Sequence, residues 1–196
     1  MTEQQRTPAR IAIVDDEPIT RMDLRCMLED LGYTVTGEAG DGFDAVQLCK
    51  QDPPDLVLMD VKMPVFDGLT AAERILSERL AGCVVLLTAF NDTEIIEAAK
   101  RIGVTGYLVK PVEQRLLRPT VEMALAQAER LRSSERETET VKKQLSDAKT
   151  IARAQAVLAK REGITETEAY TLLRKLSMDK RLPMAALAEA VLRTEK

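Results

Sequence analysis

The chain has 196 residues, 45% hydrophobic and 31% charged, enough for one large domain or two small ones with a buried core. It contains no histidine. That excludes a phosphohistidine carrier, a Ser-His-Asp triad and the common His-containing zinc sites, so any chemistry must use carboxylates, lysine and hydroxyls. The net charge of −4 is unevenly divided: residues 1–140 hold 16 Lys+Arg against 25 Asp+Glu, and residues 141–196 hold 12 against 7. An acidic module joined to one that meets a polyanion fits this asymmetry, and so does a basic helical face that is merely solvated.

The opening MTEQQRTPAR is a polar tail, assigned to residues 1–8, without the apolar middle of a signal peptide. No apolar run approaches the length of a membrane span, which makes the cytoplasm the expected compartment and a membrane an unexpected partner. Cys26, Cys49 and Cys83 are odd in number and set among apolar residues, as buried hydrophobes rather than a disulfide framework or metal site.

In chain order, Ile11–Val14 is an apolar run ending in Asp15-Asp16-Glu17. Pro18 starts a helix carrying Met22, Leu24, Met27, Leu28 and Leu31, and Gly32 stops it. Tyr33–Gly37 reads as a second strand, and Gly40-Asp41-Gly42 turns into a helix closed by Pro53-Pro54. DLVLMDVKMP follows: a strand over residues 56–59 that ends in a carboxylate, Asp60, before turn signals at Pro64 and Asp67-Gly68. A third helix spans roughly Leu69–Leu80, Val84–Leu87 is a buried strand ending in Thr88, and a fourth helix covers about Thr93–Ile102 before Gly103. Gly106–Val109 is the fifth strand and ends in Lys110-Pro111.

Five strands alternating with helices predict a doubly wound parallel sheet covered on both faces. The strand ends of such a sheet share one edge, where ligand sites form. Asp15, Asp16, Asp60, Thr88 and Lys110 would converge there. Three crowded carboxylates repel one another unless a cation joins them, and an oxygen-only cluster suits Mg²⁺. A lysine beside such a site is what phosphoryl transfer to a carboxylate requires. The competing reading is a buried ion-pair cluster of Asp60 with Lys110, although one lysine cannot balance three carboxylates.

Residues 9–127 resemble the receiver domain of bacterial two-component response regulators. The resemblance rests on Val14-Asp15-Asp16-Glu17, Met59-Asp60-Val61-Lys62-Met63-Pro64, Leu87-Thr88-Ala89 and Tyr107-Leu108-Val109-Lys110-Pro111. It implies a flavodoxin-like fold, Asp60 as phosphoacceptor, and Mg²⁺ held by Asp16, Asp60 and the backbone carbonyl of Lys62, with Asp15 acting through a metal-bound water. It further implies that Lys110 pairs with the phosphoryl group and that the Lys110-Pro111 bond is cis. Thr88 and Tyr107 would form a switch pair biasing the face of helix 4, strand 5 and helix 5.

Helix 5 is expected to begin near Val112 or, after a break, at Pro119, with nothing to stop it before Lys160. Residues 128–140 form a helical or coiled-coil linker whose RSSERETET segment holds no apolar residue. A weak or interrupted coiled coil, or a hinge at Ser133-Ser134, fits that stretch better than a strong zipper. Residues 141–196 read as a small all-α domain of three helices. The first ends at Gly163, the second opens with a Thr165/Glu168 capping box, and the third starts at Pro183. Its core is thin. Lys149, Arg153, Lys160, Arg161, Arg174, Lys175, Lys180 and Arg181 lie on polar faces and offer a phosphate-binding surface. Core packing is the favoured role of Tyr170, with stacking on an unpaired base as the alternative.

The segment Ile151–Leu192 resembles the ANTAR domain, an RNA-binding output module of transcription antitermination regulators. The matching residues are Arg153-Ala154, Leu158, Gly163-Ile164-Thr165, Glu168-Ala169-Tyr170, Leu173-Arg174, Met178 and Ala188 to Leu192. Gln155 and Ala156 depart from the family pattern, where lysine and glycine are common. The two resemblances imply a histidine kinase as phosphodonor, hairpins in a leader transcript as target, a homodimer on phosphorylation, and no ordinary enzyme activity. A DNA-binding output, or a protein-interaction switch without nucleic acid, are the alternatives.

Overall fold

The computed structural model describes residues 8–89 and 93–193. The expected polar tail falls almost wholly outside these residues. The described chain runs β1 (Arg10–Val14), α1 (Pro18–Asp30), β2 (Thr34–Ala39), α2 (Gly42–Gln51), β3 (Leu56–Asp60), α3 (Gly68–Ser77), β4 (Val84–Thr88), α4 (Thr93–Ile102), β5 (Gly106–Val109), α5 (Gln114–Glu162), α6 (Glu166–Lys180) and α7 (Met184–Arg193). Two compact units divide at residues 131 and 132.

In the first unit all strands pair in parallel, in the order β2-β1-β3-β4-β5. Side-chain alternation along the strands divides the core in two. Ala12 and Val14 face a cluster containing Ala45, Ala71 and Ile75 of α2 and α3. Ile11 and Ile13 face Leu24 and Leu28 of α1 and Leu117 and Val121 of α5. Every residue of β3 and β4 is buried, as a central strand covered on both faces requires.

Helix ends follow local chemistry. Gly32, at φ 85°, donates to the Glu29 carbonyl while the Tyr33 amide reaches the Leu28 carbonyl, so the carbonyls left over at the end of α1 are satisfied. Asp41 and Asp67 cap α2 and α3 by accepting the Asp44 and Thr70 amides. Not every expectation on α1 holds: Met22 is 58% exposed and Cys26 is exposed, while Cys49 and Cys83 are buried.

Helix α5 starts five residues before Pro119 and carries that proline inside it. The proline removes only one hydrogen bond close to the helix start, so of the two expected starts the helix takes the one near Val112, with no break at Pro119. Nor is α5 broken at Ser133-Ser134. The helix is continuous through both serines, and further along Thr138 and Thr140 donate to the Ser134 and Arg136 carbonyls at 2.9 and 2.8 Å.

The second unit is the predicted three-helix module. Gly163, at φ 66°, ends α5. Thr165 and Glu168 form the expected capping box at α6, and Pro183 lies one residue before α7, its carbonyl accepting the Ala186 and Leu187 amides. The fully packed core is small: Ala154 and Leu158 of α5, Ala169 and Leu173 of α6, and Ala188 of α7. Tyr170 is not part of it. At 41% exposure it stands on the surface, because Ala169 and Leu173 already occupy the inward face of α6.

Candidate functional site

The strand ends deliver the predicted groups to one edge of the sheet. Asp15 follows β1, Asp60 closes β3, Thr88 closes β4, and Lys110 follows β5 across a cis bond to Pro111. Asp15, Asp60 and Thr88 are buried, and Asp16 is exposed beside them. Lys110 Nζ lies 2.6 Å from Asp15 Oδ2 and 2.8 Å from Asp60 Oδ2. The ion pair anticipated as the competing reading is therefore present, and it spans two carboxylates rather than one.

Asp15 is held rigidly. Its Oδ1 accepts the Glu17 amide at 3.0 Å, its amide donates to the Ala39 carbonyl, and its carbonyl accepts Arg21 Nη1 at 2.7 Å. Asp15 Oδ2 is buried and, although ion-paired, is not aligned with any hydrogen-bond donor. Asp60 Oδ1 accepts the Lys62 amide at 3.3 Å, a long bond. Burial has the largest effect on Asp60 and lifts its carboxyl above the usual range, with the Asp15 charge adding to it and Lys110 opposing. For Lys110, burial works against the charge, yet its contacts with Asp15 and Asp60 outweigh it and hold the ammonium above its usual range.

Asp15, Asp16 and Asp60 each offer a carboxylate oxygen, and the three atoms lie within 4.8 Å of one another. The donor set is all oxygen, compact, and includes one buried oxygen lacking an aligned donor. It fits a hard divalent cation of the Mg²⁺ type. Beside it, the Lys110 ammonium lies 2.8 Å from Asp60 Oδ2, a cation placed to counter negative charge at that carboxylate.

Two residues near this site escaped the sequence reading. Arg21 was not singled out, although it stands one helical turn beyond the acidic cluster, a spacing that could have pointed to it. Gly68 was read only as a turn residue. A Cβ there would lie 1.8 Å from the Asp60 carbonyl oxygen. Tyr107 on β5 is 46% exposed and sits opposite Leu86, two residues before the Thr88/Val109 pair.

In the second unit, Arg153, Lys160, Arg161, Arg174, Lys175, Lys180 and Arg181 are all exposed, as is Tyr170. Tyr170, Arg174 and Met178 follow one another at four-residue spacing on a single face of α6. Lys175 lies further round the helix, among Thr167, Thr171 and Leu172 in a shallow groove. Arg161 is paired with Glu162, and Arg181 closes α6 in a left-handed conformation at φ 51°. The Gln155 amide, on α5, donates to the Glu166 carbonyl at 2.9 Å, so it joins α5 to the start of α6.

A parallel sheet in this strand order, with an acid pair, a strand-end aspartate and a lysine on one edge, defines a receiver domain. Residues 11–122 match the response regulator receiver domain family, and residues 139–192 match the ANTAR domain family. The chain belongs to the response regulators of two-component systems and carries a receiver domain followed by an ANTAR domain. It is 42% identical over 187 residues to the transcriptional regulatory protein PdtaR of Mycobacterium tuberculosis, covering 95% of this chain and 91% of that protein. It is 36% identical over 110 residues to the chemotaxis protein CheY of Treponema pallidum, covering 55% of this chain and 76% of the other. Among solved structures, a LuxR-family two-component response regulator from Aurantimonas sp. SI85-9A1 superposes with a TM-score of 0.57 at 31% identity, covering 61% of this chain and 86% of that one. No helix among the described residues is long and apolar enough to cross a membrane.

Proposed function

We propose that this protein is a phosphorylation-controlled regulator that binds RNA hairpins in a leader transcript and acts in transcription antitermination. The observation that carries this reading is the union, in one chain, of the Asp15/Asp60/Lys110 pocket with an ANTAR module whose basic side chains and Tyr170 stand at the surface.

Asp60 is the nucleophile. One of its carboxylate oxygens attacks the phosphorus of a phosphohistidine on a partner kinase, forming an acyl phosphate as the phosphorus–nitrogen bond breaks. Asp15, Asp16, Asp60 and the Lys62 carbonyl would hold Mg²⁺, which when bound neutralises charge on the phosphoryl oxygens. Lys110 passes from its carboxylate pair to a phosphoryl oxygen. The Thr88 hydroxyl follows a second oxygen inward, and the half-exposed Tyr107 ring turns into the space released. The protein is thus modified on its own aspartate rather than turning over a substrate. The modified receiver favours a homodimer, and paired ANTAR modules hold the hairpins. The compartment is the cytoplasm.

RNA recognition would combine phosphate contacts from Arg153, Lys160, Arg161, Arg174, Lys175, Lys180 and Arg181 with stacking of a loop base on Tyr170. Direct competition tests the output. Hairpin RNA should displace a labelled hairpin, duplex DNA should not, and binding should weaken as salt rises. Preference for duplex DNA would replace this reading with a DNA-binding regulator. Neutralising Arg174, Lys175, Lys180 and Arg181 without any loss of regulation would point to a protein-interaction switch.

A further inference from the structure

We infer that Arg21 is a positioning residue for phosphoryl acceptance: its guanidinium fixes the peptide between Asp15 and Asp16, and through it the aim of the Asp16 carboxylate at the cation. The assignment rests on the Mg²⁺ site of the proposed function. Asp15 and Asp60 are buried, and each meets Lys110 and a backbone amide. Asp16 is exposed, and among the described residues its carboxylate has no hydrogen-bond or ion-pair partner. Even so, oxygens of Asp15, Asp16 and Asp60 lie within 4.8 Å of one another. Where the Asp16 carboxylate points is therefore decided by the backbone that carries it. A peptide unit is planar, so holding the Asp15 carbonyl also holds the Asp16 nitrogen and Cα. Arg21 Nη1 donates to that carbonyl at 2.7 Å.

Arg21 is itself braced. Its own amide donates to the Glu17 carbonyl at 3.1 Å, and its side chain is 19% exposed. Its Nε donates to Glu38 Oε2 at 3.2 Å. Glu38 precedes Ala39 on β2, and the Ala39 carbonyl accepts the Asp15 amide at 3.1 Å. The acidic loop is thus tied to β2 twice, directly through the Asp15 amide and again through the guanidinium. A planar fork can hold a carbonyl and a carboxylate together, which a single ammonium is not shaped to do.

Arg25 supplies the contrast. It stands one turn further along α1, and its Nε donates to the other Glu38 oxygen, Oε1, at 2.6 Å. Its Nη1 turns away from the acidic loop to Glu29 Oε1 at 3.3 Å. Both arginines join α1 to β2, and among the described residues only Arg21 also holds the Asp15 carbonyl. An ion pair between the two elements is already supplied by Arg25, so it does not account for the bond from Arg21 to the loop.

Charge and positioning predict opposite signs. Arg21 is a cation near a cation site, so by Coulomb's law alone its removal should tighten divalent binding. If Arg21 aims Asp16, its removal should weaken binding, by roughly tenfold, as loss of an outer hydrogen-bond partner of a metal ligand does.

The test titrates the full chain with Mn²⁺, followed by electron paramagnetic resonance, with Mg²⁺ as competitor. Asp16→Asn locates the site and should lose most of the binding. Arg21→Met keeps the stem and removes the guanidinium, and should raise the Mn²⁺ Kd roughly tenfold. Arg21→Ala, which removes the stem as well, should do the same. Arg25→Met loses a contact with the same Glu38 and should leave the Kd within about twofold. The Mg²⁺ concentration for half-maximal phosphate incorporation from a small phosphodonor should rise with the Kd in Arg21→Met. Its rate at saturating Mg²⁺ should stay within about twofold of the unsubstituted chain. Unchanged or tighter Mn²⁺ binding by Arg21→Met overturns the inference. So does equal weakening in Arg25→Met, which would make Arg21 an ordinary brace of α1, or a saturated rate that falls while the Kd holds. In each of those cases the proposed function stands. An unsubstituted chain that binds no Mn²⁺ would remove the cation site from the proposed function, and this inference with it.

Discussion

Gly68→Ala probes how closely the start of α3 is packed on β3, the strand that ends in Asp60. A Cβ at this position would lie 1.8 Å from the Asp60 carbonyl oxygen and 2.8 Å from the Asp60 carbonyl carbon. Real Cβ contacts rarely fall under 3.0 Å, so the two backbones must separate by more than an ångström. The Gly68 amide also donates to the Val61 carbonyl at 3.0 Å, and that bond would be strained or lost. Backbone cannot swing aside as a flexible side chain does. Overpacking of this kind costs about 1–3 kcal/mol, and the hydrogen bond adds about 1 kcal/mol. For a domain of this size each kcal/mol lowers Tm by roughly 4 °C, so the receiver should melt about 8–16 °C earlier. An ångström of displacement at Asp60 relative to Lys110 should slow phosphorylation by a small phosphodonor on the order of 100-fold. Gly106→Ala is the control: its nearest neighbours would be Thr120 Cγ2 at 3.6 Å and Val85 Cγ2 at 3.7 Å, ordinary contacts at an ordinary φ. Thermal unfolding followed by circular dichroism, together with phosphate incorporation, reads both effects. If Gly68→Ala melts and phosphorylates like the unsubstituted chain, or if Gly106→Ala is equally damaged, the close approach has been misjudged.

Other consequences follow from single contacts. Asp60→Asn should abolish phosphate incorporation from a small donor while circular dichroism shows the fold intact, and chelation of divalent cations should stop incorporation into the unsubstituted chain. Burial raises and the Arg25 and Arg21 contacts lower the Glu38 carboxyl, with a net shift below its usual range. A folded-state value below the unfolded one adds stability above the unfolded value that is lost as pH falls through the folded one. Glu38→Gln should therefore cost about 0.5–1 kcal/mol at neutral pH, less in high salt, and nothing in strong acid, measured by urea unfolding. Tyr170→Ala should weaken hairpin binding roughly tenfold with little change in Tm, whereas Leu173→Ala, truncating a fully buried side chain, should cost about 2–5 kcal/mol. Thr165→Ala should remove about 1 kcal/mol from the C-terminal module by opening its capping box, seen as lost helicity on mild heating.

Much of this was readable in the sequence because the signals are local or topological. Gly32, Gly103 and the Thr165/Glu168 box mark helix ends through the backbone groups they satisfy, and those groups depend on only a few neighbouring residues. The meeting of Asp15, Asp60, Thr88 and Lys110 was readable for a different reason: parallel strands place their C-terminal ends on one edge whatever the details of packing. The rest depended on what lies beside a residue in space. Pro119 is tolerated inside α5 because it sits near the helix start, where few bonds are at stake. Ser133-Ser134 resembles a hinge in composition, yet serine keeps its backbone N–H and tolerates helical φ/ψ, and α5 runs through both residues. Tyr170 is adjacent to core residue Ala169, but neighbours in a helix point about 100° apart, and Leu173 fills the inward face in its place. Cys26 and Met22 look apolar in sequence and face outward because Leu24 and Leu28 already cover the sheet. The close approach of Gly68 to Asp60 joins residues on two elements and has no sequence signature beyond the glycine itself.

The coupling of receiver to output is the central claim, and hairpin-RNA binding measured with and without beryllofluoride and Mg²⁺, alongside molecular mass, tests it most directly. Affinity at least about tenfold higher with the mimic, lost again in Asp60→Asn, is the predicted result. Equal affinity in both conditions would contradict the switch.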